Sequence, residues 1–262
     1  MLIQRVSKNP SLLGRAFCVL AIVCVANAED TPASDTPIQY SLKSFEGGEF
    51  HVVRVDLARA AISAVWKDSA GQPLLTFGNA LKQLRESKVE PLFMTNAGIF
   101  TPSVAPGGLY VQSGEVKVPI NRNNGEGNFH LKPNGVFFIN VDGAHVEDSD
   151  RVTEDMIKTM QVATQSGPLL VRDGEIHPQF QIDSENKKLR SGVGVVTPKE
   201  IYFVLSKVEV NFHHFARFFR DELKCSDALY LDGVISKFYL RNEAAFQPGV
   251  EQFAAMLVVS AK

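Results

Sequence analysis

Short apolar segments run through the chain, and glycine or a small polar residue ends several of them. Four such stops are Thr95-Asn96-Ala97-Gly98, Gln165-Ser166-Gly167-Pro168, Arg190-Ser191-Gly192 and Asp232-Gly233. Glycine at the end of a strand permits positive φ or a close approach of the backbone to a ligand. Many short strands with two or three helices between them predict an α+β domain, built on a mixed or largely antiparallel sheet flanked by a few helices.

Hydrophobic periodicity places the main elements. Near-alternating apolar residues predict two strands within 49–68, and further apolar runs predict strands at 90–100, 135–141 and 253–261 and two short strands within 192–206. Helical spacing of Phe77, Leu81 and Leu84 predicts a short amphipathic helix, and Phe212, Phe215, Phe219 and Leu223 predict another over 211–223.

Composition agrees with one globular domain and limits its partners. The chain has 262 residues, of which 45% are hydrophobic and 21% charged, which is enough to bury one large core. The formal net charge is -2, and no run of Lys or Arg occurs inside the body of the chain. We therefore expect no nucleic-acid partner.

The first residues have the order of a secretory signal peptide. Basic residues precede the apolar run 16–25, and Ala26-Asn27-Ala28 follows it. We expect a signal peptide at 1–28, a flexible polar leader at 29–37 and the folded domain at 38–262. An uncleaved anchor is the alternative, but the apolar run is short for a bilayer, so we expect no stable membrane span after cleavage.

Cysteine and histidine usage predicts a fold that is stabilised by its hydrophobic core, without disulfides or a structural metal. Cleavage after Ala28 leaves Cys225 as the one thiol, and we expect it to pack rather than react. A cysteine-poor secreted chain is typical of a bacterial periplasm. Adjacent His213 and His214 point about 100° apart on a helix, so a surface or helix-packing role is favoured over a shared metal. No Cys/His cluster has metal-site spacing, and we expect no metal and no cofactor.

Six segments resemble a known family. They are TNAGIF, PGGLYVQSGE, GNFHLKPNGVF, QSGPLLVRDGEI, LRSGVGV and LDGVISKFYL, and they occur in the order seen in the phosphodiester glycosidases, over about residues 90–260. The resemblance implies a secreted hydrolase acting on a carbohydrate or glycan substrate. Its reaction would break the bond between the anomeric carbon of a sugar-1-phosphodiester and the phosphate, through an oxocarbenium-like transition state.

The resemblance makes Asp232 and Arg190 candidate catalytic residues. His130 is the third candidate because the near-neutral pKa of histidine suits proton transfer, whereas the aromatic residue that many family members have at this position favours a binding role. Asp232 would act as base or nucleophile, Arg190 would stabilise the departing phosphate, and His130 would transfer protons. The bland alternatives are an Asx turn for Asp232 and a surface ion pair with Glu185 or Asp183 for Arg190. The family usually has a second glycine after its Asp-Gly, where this chain has Val234.

Amides, hydroxyls and glycines at the other strand ends are candidate substrate-binding groups. Alternation from Asn128 to Asn134 would present His130 and Lys132 to a ligand together, opposite Phe129 and Leu131. The candidate binding residues are Asn96, Gly98, Asn128, Lys132, Asn134, Gln165, Ser166, Gly167, Gly233 and Ser236.

Two other functions use the same residues. A non-catalytic module that binds envelope glycan or exopolysaccharide is favoured by Val234 and by the lack of an obvious second carboxylate. Metal-dependent cleavage on the phosphate side would need ligands that converge from distant strands.

Overall fold

A computed structural model describes residues 36–262. The predicted signal peptide and most of the predicted leader lie outside the described residues. In chain order the strands are β1 (Ile38–Phe45), β2 (Gly48–Asp56), β3 (Ala60–Val65), β4 (Pro91–Asn96), β5 (Tyr110–Gln112), β6 (Glu115–Val118), β7 (Gly135–Ile139), β8 (Ala144–Asp148), β9 (Val162–Ser166), β10 (Leu169–Arg172), β11 (Glu175–Ile176), β12 (Ser191–Thr197), β13 (Glu200–Ser206), β14 (Asp227–Asp232), β15 (Phe238–Leu240) and β16 (Met256–Ala261). The helices are α1 (Phe77–Glu86), α2 (Glu154–Thr159) and α3 (Phe212–Arg217).

The strands form three sheets rather than the one predicted from the sequence. Their orders are β1-β2-β13-β12-β14-β10-β11, β15-β4-β16-β3 and β6-β5-β9-β7-β8. Every pairing among these strands is antiparallel. The predicted α+β class with few helices is confirmed, and its sheets are antiparallel rather than mixed.

Side chains from all three sheets meet in one central core. Strand alternation directs Val53 and Leu229 of the large sheet inward, where they join Phe93 of β4 and Phe137 of β7. Phe93 packs against Phe203 of β13 with ring centroids 5.2 Å apart. Because the sheets share this core, their strand ends are held close together.

The opposite face of the large sheet is covered by α3. Asn211 caps this helix by accepting a hydrogen bond from His214 N, and the chain continues as a π-helical turn over Phe218–Glu222. The predicted helix is therefore present, but its second half is wound more widely. Phe215, Phe218 and Phe219 are buried against the sheet.

The predicted packing roles of Cys225 and His214 are confirmed. Cys225 is buried beside α3, and burial raises the pKa of its thiol. The ring of His214 forms a 3.0 Å hydrogen bond between Nε2 and Phe45 O, and it also packs on Phe50. Among residues 36–262, no helix has the length and apolarity needed to cross a membrane.

Gly194 sets how closely the π-helical turn after α3 approaches the sheet. A Cβ at this position would lie 2.5 Å from Phe219 Cδ1 and 2.6 Å from Cys225 Sγ. Gly194→Ala should lower the free energy of unfolding by about 1–3 kcal/mol, because the buried ring must move. The matched control is Gly78→Ala, at an exposed position of α1 where the nearest atom is 3.8 Å away. Chemical denaturation should show a gain of up to about 1 kcal/mol for this control, and equal effects of the two changes would contradict the packing account.

Candidate active site

Ends of strands from two sheets meet at Asp232. This residue ends β14, and its Oδ2 lies 3.5 Å from Nδ2 of Asn96, which ends β4. Ser191, the first residue of β12, pairs with Asp232 in the sheet, and its hydroxyl donates to Asp232 O at 3.3 Å. Asp232, Asn96 and Ser191, together with Ser236, form a hydrogen-bonded group that we call the strand-end cluster.

Ser236 joins the other members of the cluster. Its Oγ lies 2.7 Å from Ser191 Oγ and 3.4 Å from Asn96 Nδ2. The turn after β14 brings it there and is closed by a 2.9 Å hydrogen bond from Ser236 N to Gly233 O. Asn96 and Ser236 are both buried, so the amide and hydroxyl hold a fixed geometry beside the carboxyl group.

The surroundings of Asp232 raise the pKa of its carboxyl group. Burial raises its pKa above the ordinary aspartate value, and the hydrogen bond from Gly233 N to Oδ1, at 2.7 Å, opposes part of that rise. The side chain does bond the turn that follows it, but it accepts from the N–H of the next residue, Gly233, and not from the residue two positions on that an Asx turn uses. It also keeps Oδ2 facing Asn96 and lines an open cleft.

Tyr230 lies two residues before Asp232 on the same face of β14. Burial raises the pKa of its hydroxyl to about 12, although the nearby Arg190 cation acts in the opposite direction. The hydroxyl is therefore protonated at neutral pH and able to donate. Gly233 permits its close approach, since a Cβ there would lie 2.9 Å from Tyr230 Oη.

Arg190 forms part of the cleft and is 1% exposed. Its Nε donates to Val210 O at 2.8 Å, its Nη2 donates to Asn186 O at 2.9 Å, and its guanidinium carbon lies 3.6 Å from the centroid of the Phe212 ring. Burial lowers its pKa. The surface ion pair considered from the sequence is wrong, because the side chain is buried against backbone carbonyls. The predicted contact with phosphate stays a prediction.

These groups line a cleft of about 360 Å³. Asp232, Gly233, Arg190 and Asn128 of the predicted site line it, and we call it the site cleft. Its other lining residues are Ile99, Glu126, Gly127, Phe129, Asn186, Lys188, Tyr230 and Val234. Two carboxylates, two cations and two side-chain amides thus surround a space with aromatic walls, which suits a hydroxyl-rich ligand.

Ser166 connects the third sheet to the cluster. Its hydroxyl donates to Leu231 O at 2.8 Å and accepts from Ile99 N at 3.2 Å, so the end of β9 is tied to β14 and to the loop after β4. Gly98 fits against this link, because a Cβ there would lie 3.1 Å from Gln165 O. Ser166 and Gly98 do not line the site cleft; they hold together the strand ends beside it.

Three other predicted residues hold neighbouring loops. Gln165 Oε1 accepts from the backbone N–H groups of Leu109 and Asn121, both at 2.9 Å. Asn134 Nδ2 donates to Phe129 O at 2.6 Å, and its Oδ1 accepts from Ser149 Oγ. Gly167 packs on this amide, since a Cβ there would lie 2.5 Å from Asn134 Cβ. These contacts position the turn that carries Asn128.

His130 and Lys132 do not line the site cleft. Asn128–His130 is a turn of 3₁₀ helix rather than the start of a strand, so the expected alternation is wrong in this segment. His130 Nδ1 lies 2.9 Å from Asn123 O, and Lys132 Nζ pairs with Asp150 Oδ1 at 2.8 Å. Both side chains support the loop at 121–134.

Sequence reasoning missed several residues of the site cleft and of the strand-end cluster. Tyr230 has a usable signal, because alternation in β14 places it on the face of Asp232. Ser191 stands next to Arg190 in a quoted motif. Glu126 and Asn186 lie in irregular loops far apart in the chain, and no local pattern brings them together. Among residues 36–262, no group of three or more His, Cys, Asp or Glu side chains is arranged to hold a metal ion.

The fold and the site define an antiparallel α+β domain with a carboxylate-bearing, polar cleft. The model of the phosphodiester glycosidase family matches residues 91–257, and the chain belongs to that family. A relative from Escherichia coli (strain K12), the uncharacterized protein YigE, is 34% identical over 183 residues, which cover 70% of this chain and 71% of YigE.

Solved structures share the fold. The catalytic domain of zebrafish N-acetylglucosamine-1-phosphodiester alpha-N-acetylglucosaminidase, auto-inhibited by its pro-peptide, matches with a TM-score of 0.58 and 15% identity over 88% of this chain and 86% of that one. A hypothetical protein from Synechocystis matches with a TM-score of 0.52 and 13% identity over 86% and 62% of the two chains. At these identities the likeness shows the fold.

Arg190 should be required to hold the segment before β12 against the loop before α3. Arg190→Lys cannot reproduce the two donations to Val210 O and Asn186 O, so we expect a loss of about 1–3 kcal/mol in the free energy of unfolding. Amide exchange of Lys188 and Val210, which pair reciprocally at 3.1 and 3.0 Å, should accelerate.

The control for this prediction is Arg85→Lys, since the Arg85 side chain is 54% exposed. It should change stability by less than about 0.5 kcal/mol. Unchanged exchange at Lys188 and Val210 in Arg190→Lys would contradict the anchoring role.

Proposed function

We propose that the protein is a phosphodiester glycosidase, which hydrolyses the bond between the anomeric carbon and the phosphate of a sugar-1-phosphodiester. The observation that carries the proposal is the position of Asp232. A carboxyl group with a raised pKa stands at the wall of the site cleft, held by Asn96, in a chain that belongs to the phosphodiester glycosidase family.

The proposed reaction breaks the bond from C1 to the phosphate oxygen. The phosphate leaves as a monoester with the bonding electron pair, and water supplies the hydroxyl at C1 and releases a proton. Positive charge develops on the sugar ring, and the ionised Asp232 stabilises that charge. Asp232 then either takes the proton from water as a base or attacks C1 as a nucleophile. A phosphate is a good leaving group, so the reaction does not depend on a strong general acid.

The other cleft residues have roles that follow from their chemistry. The amide of Asn128 and the neutral hydroxyl of Tyr230 are suited to hold sugar hydroxyls. Aromatic walls such as Phe129 suit the apolar face of a sugar ring. The cations Arg190 and Lys188 favour an anionic phosphodiester over a neutral glycoside.

The name of the zebrafish enzyme suggests which substrate to test first. It acts on an N-acetylglucosamine-1-phosphodiester, and we propose that esters of this sugar phosphate be tested first. The N-terminal basic and apolar order supports export, and we propose that the mature chain works outside the cytoplasm, in a bacterial periplasm, on a sugar-1-phosphodiester of the cell envelope.

Asp232→Asn should reduce sugar release from a sugar-1-phosphodiester by about 10³-fold or more, because an amide can neither accept the proton nor attack the anomeric carbon. Release of reducing sugar from a panel of sugar-1-phosphodiesters, beginning with those of N-acetylglucosamine, measures the loss.

The matched control is Asp227→Asn at the opposite end of β14. Asp227 Oδ1 accepts from Asp173 N at 3.0 Å, which an amide oxygen reproduces. This variant should keep the activity of the native chain. Full turnover by Asp232→Asn would remove Asp232 from the reaction, and glycan binding without turnover by the native chain would favour the binding module.

The apparent pKa of the acid limb of the kcat/KM profile should lie above the ordinary aspartate pKa of about 3.9. The reaction uses the ionised Asp232, and burial raises its pKa, so activity is present above that raised pKa and is lost as the pH falls through it. Rates on a stable substrate between pH 3 and 8 measure the limb. Activity that stays level down to pH 4, or increases on acidification, would contradict this role.

A further inference from the structure

A second cleft, of about 310 Å³, adjoins the site cleft. Val234 lines both clefts, and Ser236 of the strand-end cluster lines the second one. The extended chain before β12 separates the two, since Lys188 and Arg190 face the site cleft and Leu189 faces the second cleft. Leu189 and Val234 therefore form part of the wall between the two clefts.

The second cleft combines an apolar wall with polar groups. Its apolar wall is formed by Leu189, Leu205, Val234, Phe238 and Phe246, and the polar residues that also line it include Lys207, Lys237, Gln247 and Glu251. Val234 is 61% exposed at the boundary. An exposed branched aliphatic side chain at the junction of two clefts offers apolar contact area to a ligand that crosses it.

Phe246 forms a fixed outer wall. The residues around it, 241–250, are otherwise exposed, but its ring packs edge-on against His51 with centroids 4.9 Å apart and against Tyr40 at 5.5 Å. These contacts hold an aromatic face at the cleft without burying it completely. Such a partly buried ring is suited to an apolar ligand group.

Cations stand on both sides of the wall. Lys188 lines the site cleft, while Lys207 and Lys237 line the second cleft. Lys237 Nζ pairs with Glu251 Oε1 at 3.2 Å, and half of the lysine side chain is exposed, so a phosphate can take the place of that carboxylate. A phosphodiester that crosses the wall would have positive charge on either side.

We infer that the second cleft is the subsite for the group on the far side of the phosphate, the aglycone, and that this group is apolar, either alkyl or aryl. The inference rests on the proposed function, in which the sugar occupies the site cleft. The polar cleft takes the sugar hydroxyls, the phosphate crosses beside Val234, and the aglycone contacts Phe246 and Leu189.

Three esters of one sugar-1-phosphate test the inference: methyl, n-octyl and 4-nitrophenyl. The native chain should hydrolyse the octyl or the nitrophenyl ester with a kcat/KM at least about ten-fold above that of the methyl ester. A preference for octyl alone identifies an alkyl chain, and a preference for nitrophenyl alone, after correction with a ring-substituted series for leaving-group pKa, identifies an aromatic group. Equal values for all three esters would overturn the inference.

Phe246→Ala should reduce the ratio of kcat/KM for the apolar ester to kcat/KM for the methyl ester by about ten-fold, because the aromatic wall is lost. The matched control is Val250→Ala, an apolar residue of the same segment that is 90% exposed and does not line the cleft. Its ratio should equal that of the native chain. A ratio unchanged in Phe246→Ala would also overturn the inference.

Direct binding separates this inference from the proposed function. Calorimetry with n-octyl phosphate, phenyl phosphate and methyl phosphate needs no turnover. The subsite is supported if octyl or phenyl phosphate binds more tightly than methyl phosphate, and if this difference is lost in Phe246→Ala and kept in Val250→Ala. If the same protein hydrolyses no ester, that result contradicts only the glycosidase activity. Equal binding of all three phosphates by the native chain contradicts the subsite.

Discussion

The contact between Asn96 and Asp232 is the constraint on which the site depends. It joins the ends of two strands from different sheets, with Asn96 Nδ2 3.5 Å from Asp232 Oδ2, in a place where Asn96 is 1% exposed. A buried amide must have hydrogen-bond partners, so Ser236 and the backbone N–H of Lys237 complete its environment. The turn after β14 is thereby fixed, and the carboxyl group faces the cleft at a defined angle.

The common core makes that contact possible. Phe93, Phe137, Val193 and Leu229 bring three sheets around one apolar centre, and Ser166 ties the third sheet to Leu231. Short strands that end in Asn, Ser, Asp and Gly leave their polar groups at the same edge. The cleft is thus built from rigid strand ends, and the loops that carry Asn128 and Asn186 close its sides.

Local patterns in the sequence were sufficient for the elements but not for their arrangement. Alternation and helical spacing correctly placed β2, β3, α1 and α3, because each buries one regular face. The division into three sheets depends on long-range pairing that no local period records. At the site, the strand ends at Asn96 and Asp232 were predictable. Tyr230 was not predicted, although alternation in β14 places it on the face of Asp232. The 3₁₀ turn at Asn128–His130 was not predictable, since the Asn134 side chain donates back to Phe129 O, a contact that an alternating pattern does not record.

The central claim is that the sugar of a sugar-1-phosphodiester lies in the site cleft with its anomeric carbon beside the side chain at position 232. A crystal structure of Asp232→Asn soaked with an N-acetylglucosamine-1-phosphodiester tests this most directly. The account predicts the anomeric carbon in van der Waals contact with that side chain, sugar hydroxyls on Asn128 and Tyr230, and the phosphate next to Val234. A sugar bound elsewhere, or bound with its anomeric carbon turned away from β14, would contradict it.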